Sequence, residues 1–250
     1  MHRLPLWLFI LMFFLFLSGL FFMILNKRKI ADCFNISGIL ASSAGIIYIF
    51  IIAKRPPLFG PFEASFYIVF IIGLLSMTYH YQYYQILVKT KFSMVSLIII
   101  LLILTLQSGQ SISLNDDYFM YDNFWVIIFF NFRLLSAGIF TCAMIFYWAY
   151  FFQGRTRGRI QNDLLLKPAG FLLLAGTCIY LTSEFAGSLW CLNWFGESWR
   201  WSNGFFKSSM VFLLVMLLCH LPGKLGENRF LTTILGSLPG CFILWMIFFH

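Results

Sequence analysis

A short segment between two long apolar runs, here called the tryptophan segment (residues 190–204), carries the residue types best suited to bind a ligand. Four of the eight tryptophans of the chain lie in it, namely Trp190, Trp194, Trp199 and Trp201. Each indole offers a flat, polarisable face and one hydrogen-bond donor, and Gly196 between them allows a close approach to the backbone. The segment therefore predicts a platform for a large flat ligand, haem first and a quinone ring second. The alternative is a tryptophan belt at the membrane interface, on an amphipathic stretch lying along the bilayer surface.

Two histidines have the spacing expected of ligands to one haem iron. His80 lies 17 residues after Glu63, and His220 lies 16 residues after Gly204. At a rise of about 1.5 Å per residue, both reach a depth of ~24–26 Å, in the inner half of a membrane. Histidines at equal depth predict a site in which His220 and His80 bind the iron from opposite sides. The alternative places each at a cytoplasmic helix end, where a partly protonated imidazole complements the helix dipole.

The remaining two histidines lie at the ends of the sequence. His2 is given no role. His250 is either an outer ligand or a terminal residue without a function, and the second reading is favoured because nothing else in the sequence points to it.

One charge interrupts an apolar run. Arg133 lies about nine residues into the fifth run, where a charged side chain is costly and usually faces a partner inside the bundle. One reading pairs it with Glu184. The other places its guanidinium on a haem propionate or a quinone carbonyl, since guanidinium binds carboxylates with two hydrogen bonds.

Three further bases are predicted to lie outside, close to the tryptophan segment. These residues, Lys54, Arg55 and Arg200, are candidates to meet propionates, although a solvated turn is the favoured interpretation of the first two. Glu63 is expected to cap or begin the third span.

The elements that must position these residues are membrane helices. The chain is 61% hydrophobic and only 10% charged, whereas soluble chains are about half apolar and about a quarter charged. Apolar runs of roughly 17–25 residues recur along the chain, as expected for helices that span a bilayer. We predict a single all-α membrane domain over residues 1–250, with an external tryptophan-rich amphipathic segment. Its eight spans are predicted at about 5–25, 36–53, 64–87, 92–108, 124–150, 168–189, 205–220 and 231–249.

Basic residues predict the orientation, because cytoplasmic loops are enriched in lysine and arginine. Eleven of the seventeen basic residues fall in one set of loops, five fall in the other set, and Arg133 falls within a span. The first set is expected to be cytoplasmic. Both termini and the tryptophan segment are then external, in a multi-pass protein of a bacterial inner membrane or an organelle membrane of bacterial origin.

Several function classes find little support. The net charge of +8 is better explained by basic loops than by nucleic-acid binding, since no basic stretch alternates with solvent-facing aromatic residues. The six cysteines form no C-x-x-C pair, so neither a zinc site nor a disulfide framework is indicated. No nucleophile, carboxylate pair or phosphate-binding loop appears.

The tryptophan segment resembles a known signature. In order, the matching positions are Gly187, Trp190, Trp194, Gly196, Trp199 and Trp201, with Phe195 as a one-residue insertion. This order resembles the tryptophan-rich WWD signature of the cytochrome c assembly family, G-x-x-W followed by W-G-x-Y-W-x-W-D-P-K-E. In that family a histidine follows the motif aspartate by a fixed distance. Ser202 takes the aspartate position here, and His220 lies the same 18 residues further on.

Two more stretches are similar to the family in the same chain order. In residues 55–70, the corresponding positions are Pro57, Phe62, Glu63 and Ser65, and residues 124–140 are similar to the helix that precedes the signature. The resemblance covers most of residues 40–230. It is to the membrane subunit of the system II cytochrome c synthase (the CcsA/ResC type) and to its shorter eight-span relative HemX.

The departures from the family pattern limit what the resemblance implies. Asp-Pro-Lys-Glu is replaced by residues 202–205, which read Ser-Asn-Gly-Phe. One external histidine of the family falls at Phe129, and the other would fall beyond the last residue of this sequence. In the synthase those two histidines hold haem at the outer site, so this chain is not expected to be an independent enzyme.

The resemblance implies a protein that passes haem b from the cytoplasmic side to the external tryptophan segment. His220 and His80 would be the iron ligands, and Arg133 would contact the haem. The implied partners are a ResB-like subunit of the synthase, apocytochrome c and the lipid bilayer. Two alternatives remain, namely a HemX-like accessory protein of haem metabolism that transfers no haem, and a quinone-binding or structural subunit of a membrane complex.

Overall fold

The computed structural model describes residues 3–82, 86–108, 123–153, 159–198, 203–220 and 228–249, and every regular element within these ranges is a helix. This confirms the all-α prediction. In chain order the helices are α1 (Arg3–Ile24), α2 (Arg28–Ala53), α3 (Pro61–Gln82), α4 (Ile86–Ser108), α5 (Phe124–Phe152), α6 (Arg159–Phe195), α7 (Asn203–Cys219) and α8 (Arg229–Phe248).

Seven helices in the described ranges are long and apolar enough to cross a membrane. The eighth, α7, carries a shorter apolar stretch, Phe206–Cys219. Those 14 residues rise only about 21 Å, less than the ~30 Å of a hydrocarbon core. The chain therefore has the helices of a multi-pass membrane protein, with seven clear candidate spans where the sequence predicted eight.

Several helices extend beyond the predicted spans, and α2, α4 and α6 do so by six residues or more. Helix α2 begins at Arg28 rather than at residue 36, and α6 runs over 37 residues from Arg159 to Phe195 rather than over 168–189. Pro168, the predicted start of the sixth span, lies inside α6. Proline removes only one hydrogen bond from a helix, and membrane helices tolerate it where neighbouring groups compensate.

The chain forms two compact units, residues 1–115 and 116–250. In the first unit α1 packs on α2 and α4, and α3 packs on α2 and α4, so the four helices form a closed ring of contacts. Glycines permit close packing there. A Cβ on Gly38 would lie 2.8 Å from the ring of Phe16, and one on Gly45 would lie 2.4 Å from the ring of Phe66.

In the second unit α5 is the central helix, and it packs on both α6 and α8. Helix α7 packs on α8 and α6. Most of α5 from Ser136 to Tyr150 is buried, and small residues there allow other helices to come close. Gly236 and Gly240 of α8, four residues apart, lie against it, as in the small-x-x-x-small pattern of membrane helix pairs.

Replacing Gly236 with alanine is expected to destabilise the protein by about 1–3 kcal/mol, the usual cost of overpacking. The new methyl group would lie 2.5 Å from ring carbons of Tyr147, which is buried. Gly170→Ala in α6 is the matched control, since its Cβ would meet nothing within 4 Å. Alanine has the higher helix propensity, so the control is expected to unfold at the wild-type temperature or above it. Equal thermal midpoints for the two variants would contradict the close α5–α8 contact.

Candidate functional site

A polar cluster joins three helices of the second unit, and its centre is Arg133 of α5. The Nη2 atom of Arg133 donates to Oε1 of Glu184 on α6 at 2.7 Å and also to Oγ of Ser208 on α7. The Ser208 hydroxyl in turn donates to the same Glu184 oxygen at 3.2 Å. We call these three residues the Arg133 cluster. The structure thus shows the Arg133–Glu184 pair that was one of the two readings of the sequence.

Two further hydrogen bonds hold the same helices together. The Tyr180 hydroxyl on α6 donates to the Ser208 carbonyl oxygen at 3.0 Å. The Ser183 hydroxyl, also on α6, donates to the Phe129 carbonyl oxygen of α5 at 2.7 Å. Tyr180 and Ser183 are buried, so both bonds are formed away from solvent. They keep Arg133, Glu184 and Ser208 facing one another.

An aromatic contact links the Arg133 cluster to the start of the tryptophan segment. The Arg133 guanidinium lies over the ring of Phe129, 4.2 Å from its centroid. The Phe129 ring is also close to Trp190, with ring centroids 6.0 Å apart, and a Cβ on Gly187 would lie 2.7 Å from the Phe129 ring. The Phe129 ring is therefore close to both the Arg133 guanidinium and Trp190.

The first half of the tryptophan segment is helical. Trp190 and Trp194 lie in the last turns of α6, which ends at Phe195, so residues 190–195 are not a separate amphipathic stretch as the sequence suggested. Residues at i and i+4 share a helix face, and α6 thereby places both indoles on one side. Trp194 is 54% exposed and Phe195 is 46% exposed. Trp199 and Trp201 lie outside the described residues, so the arrangement of the four indoles remains a prediction.

Gly196 has a structural role that the sequence interpretation missed. It adopts φ +76°, a left-handed conformation that favours glycine, and its N–H donates to the Leu192 carbonyl oxygen at 3.0 Å. These are the features of a glycine that ends a helix. Gly196 therefore stops α6 directly after the exposed indole, and its open surroundings leave that end of the helix accessible.

His220 follows the last residue of α7 and is exposed. Its Nδ1 atom lies 2.8 Å from the carbonyl oxygen of Met216. Because a carbonyl oxygen only accepts hydrogen bonds, Nδ1 must carry the ring proton in this arrangement. The Nε2 lone pair is then available, and a backbone carbonyl that fixes the tautomer in this way is a common support for a metal-binding histidine. The chemistry of His220 therefore fits an axial ligand to haem iron.

The geometry of α7 separates the inner and outer candidate residues. Ser208, which touches Arg133, precedes His220 by twelve residues on or directly after this helix. Twelve residues rise about 18 Å along the helix axis. His220 and the Arg133 cluster therefore lie at different levels of α7.

The other candidate histidines are less well defined. His80 lies near the end of α3 in the first unit, but its side chain is not among those that the structure describes. The proposed pairing of His80 with His220 thus remains a prediction. His2 and His250 fall outside the described residues.

The structure corrects the prediction of a solvated turn at Arg55. The sequence favoured a solvated turn at Lys54 and Arg55, but Arg55 is only 3% exposed and Glu63 is fully buried. Two parallel hydrogen bonds of 2.7 Å join the guanidinium to the carboxylate. The Phe59 N–H also donates to Glu63 Oε2 at 3.3 Å. Lys54 of this turn is exposed, at φ 52°.

The sequence did not predict this ion pair, because the apolar residues near it lie in a turn between two helices, where solvent exposure was expected. Leu58 and Phe59 in that turn, and Phe62 in the first turn of α3, are all buried. Burying a charge without a partner costs a large amount of free energy. The feature of the sequence that could have predicted this pair is an arginine and a glutamate eight residues apart, on either side of an apolar turn. Glu63 does lie in the first turn of α3, as expected.

Metal clusters and disulfides play no part in the described ranges. No group of three or more His, Cys, Asp and Glu side chains is placed there to hold a metal ion, and all six cysteines are free thiols.

Comparison with known proteins adds no family assignment. No protein-family model matches the chain, and no curated protein matches it at a significant level of similarity. The likeness to the cytochrome c assembly family therefore depends on the motif positions themselves, chiefly the 18-residue spacing from Ser202 to His220.

Proposed function

We propose that this chain is a membrane protein that handles haem in cytochrome c assembly. In this proposal His220 binds haem on the cytoplasmic side, and the tryptophan segment presents haem at the external face. The chain acts with a partner, a ResB-like membrane subunit, and haem is delivered to apocytochrome c. Both termini lie outside, according to the distribution of basic loops.

The observation that carries the proposal is the state of His220. The ring is exposed, its Nδ1–H is engaged by Met216, and its Nε2 is free of that bond. A neutral imidazole with one nitrogen so fixed is the form that ligates haem iron. The family histidine to which His220 corresponds lies at the same distance from the signature.

The outer end of α6 supports the second part of the proposal. Trp190 and Trp194 share one side of the helix, and Trp194 is exposed. Arg133 is linked to this end of α6 through Phe129, and one N–H group of its guanidinium is available for a further hydrogen bond. Its Nε is buried and has no hydrogen-bond partner within the described ranges. A propionate is the kind of group that would accept a hydrogen bond from this nitrogen.

The proposal places haem at two positions along α7, an inner one and an outer one. His220 would hold the iron in the inner position, whereas Arg133 and the indoles would contact the porphyrin in the outer one. Because Phe129 takes the place of an external family histidine, the chain offers no iron ligand at that position. A partner subunit is therefore needed to supply the outer ligand.

The test is the visible spectrum of the chain purified in mild detergent, with an equimolar amount of haem added. The spectrum is recorded for the oxidised and the reduced sample. Wild type is expected to show a Soret band, and His220→Ala is expected to lose at least about nine-tenths of it, since loss of an iron ligand removes the main directional bond. His2→Ala is the matched control, because it removes a histidine that has no assigned role.

A wild-type protein that is folded but takes up no haem would contradict the proposal. So would a Soret band of equal height in wild type and His220→Ala. A reduced band in both histidine variants would indicate that general damage, and not ligand loss, is responsible.

One observation favours an alternative function. Phe129 fills the site of the family histidine and packs on Gly187 and Trp190, as expected if outer haem transfer has been lost. A HemX-like accessory role would then apply, and the purified protein would lack stoichiometric haem. A quinone-binding or structural subunit would instead co-purify tightly with other subunits and show no haem spectrum.

A further inference from the structure

Three consecutive basic residues lie where α1 ends and α2 begins, and the haem-handling proposal does not use them. We call these residues, Lys27, Arg28 and Lys29, the basic turn. The side chains of Lys27 and Lys29 are exposed, and that of Arg28 is partly exposed. None of the three forms an ion pair with any residue that the structure describes. Three positive charges therefore lie side by side at the surface without a counter-charge from this part of the chain.

The backbone of the basic turn is well fixed. Asn26 adopts a left-handed conformation with φ 61°. Its N–H donates to the Met23 carbonyl oxygen at 3.1 Å, and the Lys27 N–H donates to the Phe22 carbonyl oxygen at 2.9 Å. These two hydrogen bonds form a Schellman motif, which ends α1. Because α2 begins at Arg28, the three bases are held close together at a tight connection between two helices.

The first unit holds too few acids to neutralise the basic turn. Residues 1–115 contain eight lysines and arginines but only two acids, Asp32 and Glu63. Glu63 is bound to Arg55, beyond the far end of α2, and the single carboxylate of Asp32 would balance at most one of the three charges. Helix α2 has no acid in its first turn and no side-chain cap, so the positive end of its dipole adds to the potential there.

The length of α1 places the basic turn at the level of the lipid headgroups. The apolar stretch of α1, Leu4–Ile24, has 21 residues and rises about 31 Å, which is close to the ~30 Å thickness of a hydrocarbon core. Three apolar residues next to the basic turn in the chain are exposed, namely Ile24, Leu25 and Ile30. This surface combines positive charges with apolar side chains at the boundary of the hydrocarbon core, and it therefore matches a molecule with an anionic head and acyl chains.

We infer that the basic turn binds the headgroup of an acidic phospholipid. Lys27 and Lys29 contact the phosphate, Arg28 adds to the positive potential, and Ile24 and Leu25 contact the acyl chains. Basic residues next to a membrane helix attract anionic lipids in this way. The inference goes beyond the haem-handling proposal and does not depend on it, because it uses neither His220 nor the tryptophan segment.

The test is a lipid titration of the full chain in mild detergent, read by native mass spectrometry, which counts the lipid molecules retained on each chain. Phosphatidylglycerol, which carries one negative charge, is compared with phosphatidylcholine of the same acyl chains, which has no net charge. Each base near a membrane surface changes the affinity for an anionic lipid about fivefold. The first phosphatidylglycerol is therefore expected to bind wild type at least about 25-fold more tightly than phosphatidylcholine does. The double variant Lys27→Gln, Lys29→Gln is expected to reduce this preference to about fivefold or less.

A single variant keeps the test decisive if the double variant does not fold. Lys29→Gln alone is expected to lower the affinity for phosphatidylglycerol about fivefold. Lys54→Gln is the matched control, since it removes one exposed base directly after the last residue of α2, and it is expected to keep the wild-type preference. Equal affinities of wild type for the two lipids, or an equal loss in Lys29→Gln and Lys54→Gln, would overturn the inference. So would a double variant that keeps the full preference, since the lipid would then be bound by other basic residues.

Discussion

Glu63→Gln is expected to lower the free energy of unfolding by about 3–5 kcal/mol, the largest effect of any substitution considered for this chain. Glu63 is fully buried and holds the buried Arg55 through two 2.7 Å hydrogen bonds. Glutamine would retain one acceptor but would leave the guanidinium charge without a counter-charge. The measurement is chemical or thermal unfolding of the purified protein in detergent.

Two comparisons make this prediction specific. Glu197→Gln is the matched control, since Glu197 is exposed and surface substitutions usually change stability by less than about 0.5 kcal/mol. The double variant Arg55→Met, Glu63→Met removes both charges and keeps similar side-chain volumes. It is expected to be more stable than Glu63→Gln, because apolar residues often replace a buried ion pair at little cost. Wild-type stability of Glu63→Gln would show that the pair is not buried.

Arg133→Ala is expected to destabilise the second unit by about 2–3 kcal/mol. The value lies below that for a fully buried pair because Arg133 and Glu184 keep 15% and 22% of their side-chain exposure. The substitution would remove the group that joins α5 to both α6 and α7, so the contact of α7 with α6 is expected to loosen first. Hydrogen–deuterium exchange of α7, together with thermal unfolding, is the measurement.

A charge-preserving variant separates the structural role of Arg133 from a ligand-binding role. Arg133→Lys retains the positive charge but lacks the planar set of donors, so it is expected to recover part of the stability that Arg133→Ala loses. Arg28→Ala, at the first residue of α2, is the control and should change stability by less than about 0.5 kcal/mol. Unchanged exchange in α7 upon Arg133→Ala would contradict the three-helix cluster.

The two arginines show why only one of the two ion pairs was recognised in advance. Arg133 lies within an apolar run, where any charge requires a partner, and Glu184 was the plausible acid near the outer end of the next predicted span. Arg55 lies next to two prolines between predicted helices, where solvent exposure is the usual expectation. Whether a turn is exposed depends on which side chains fold over it, and no local pattern contains that information.

The sequence by itself determined the class of protein. Its apolar runs exceed what a soluble chain can bury, and a backbone in lipid must satisfy its own hydrogen bonds, so helices of spanning length follow from composition alone. The position of Glu63 in the first turn of α3 was also expected from the local residue pattern.

Only the tertiary structure decided which polar groups meet. It joined Arg133 to Glu184 and Ser208, buried Arg55 on Glu63, and brought Asp32 and Asn35 to a cavity lined by three other helices. It also continued α6 through Trp190 and Trp194 to a stop at Gly196. These contacts join residues far apart in the chain, and their partners depend on how the helices pack, whereas hydropathy and periodicity describe one segment at a time.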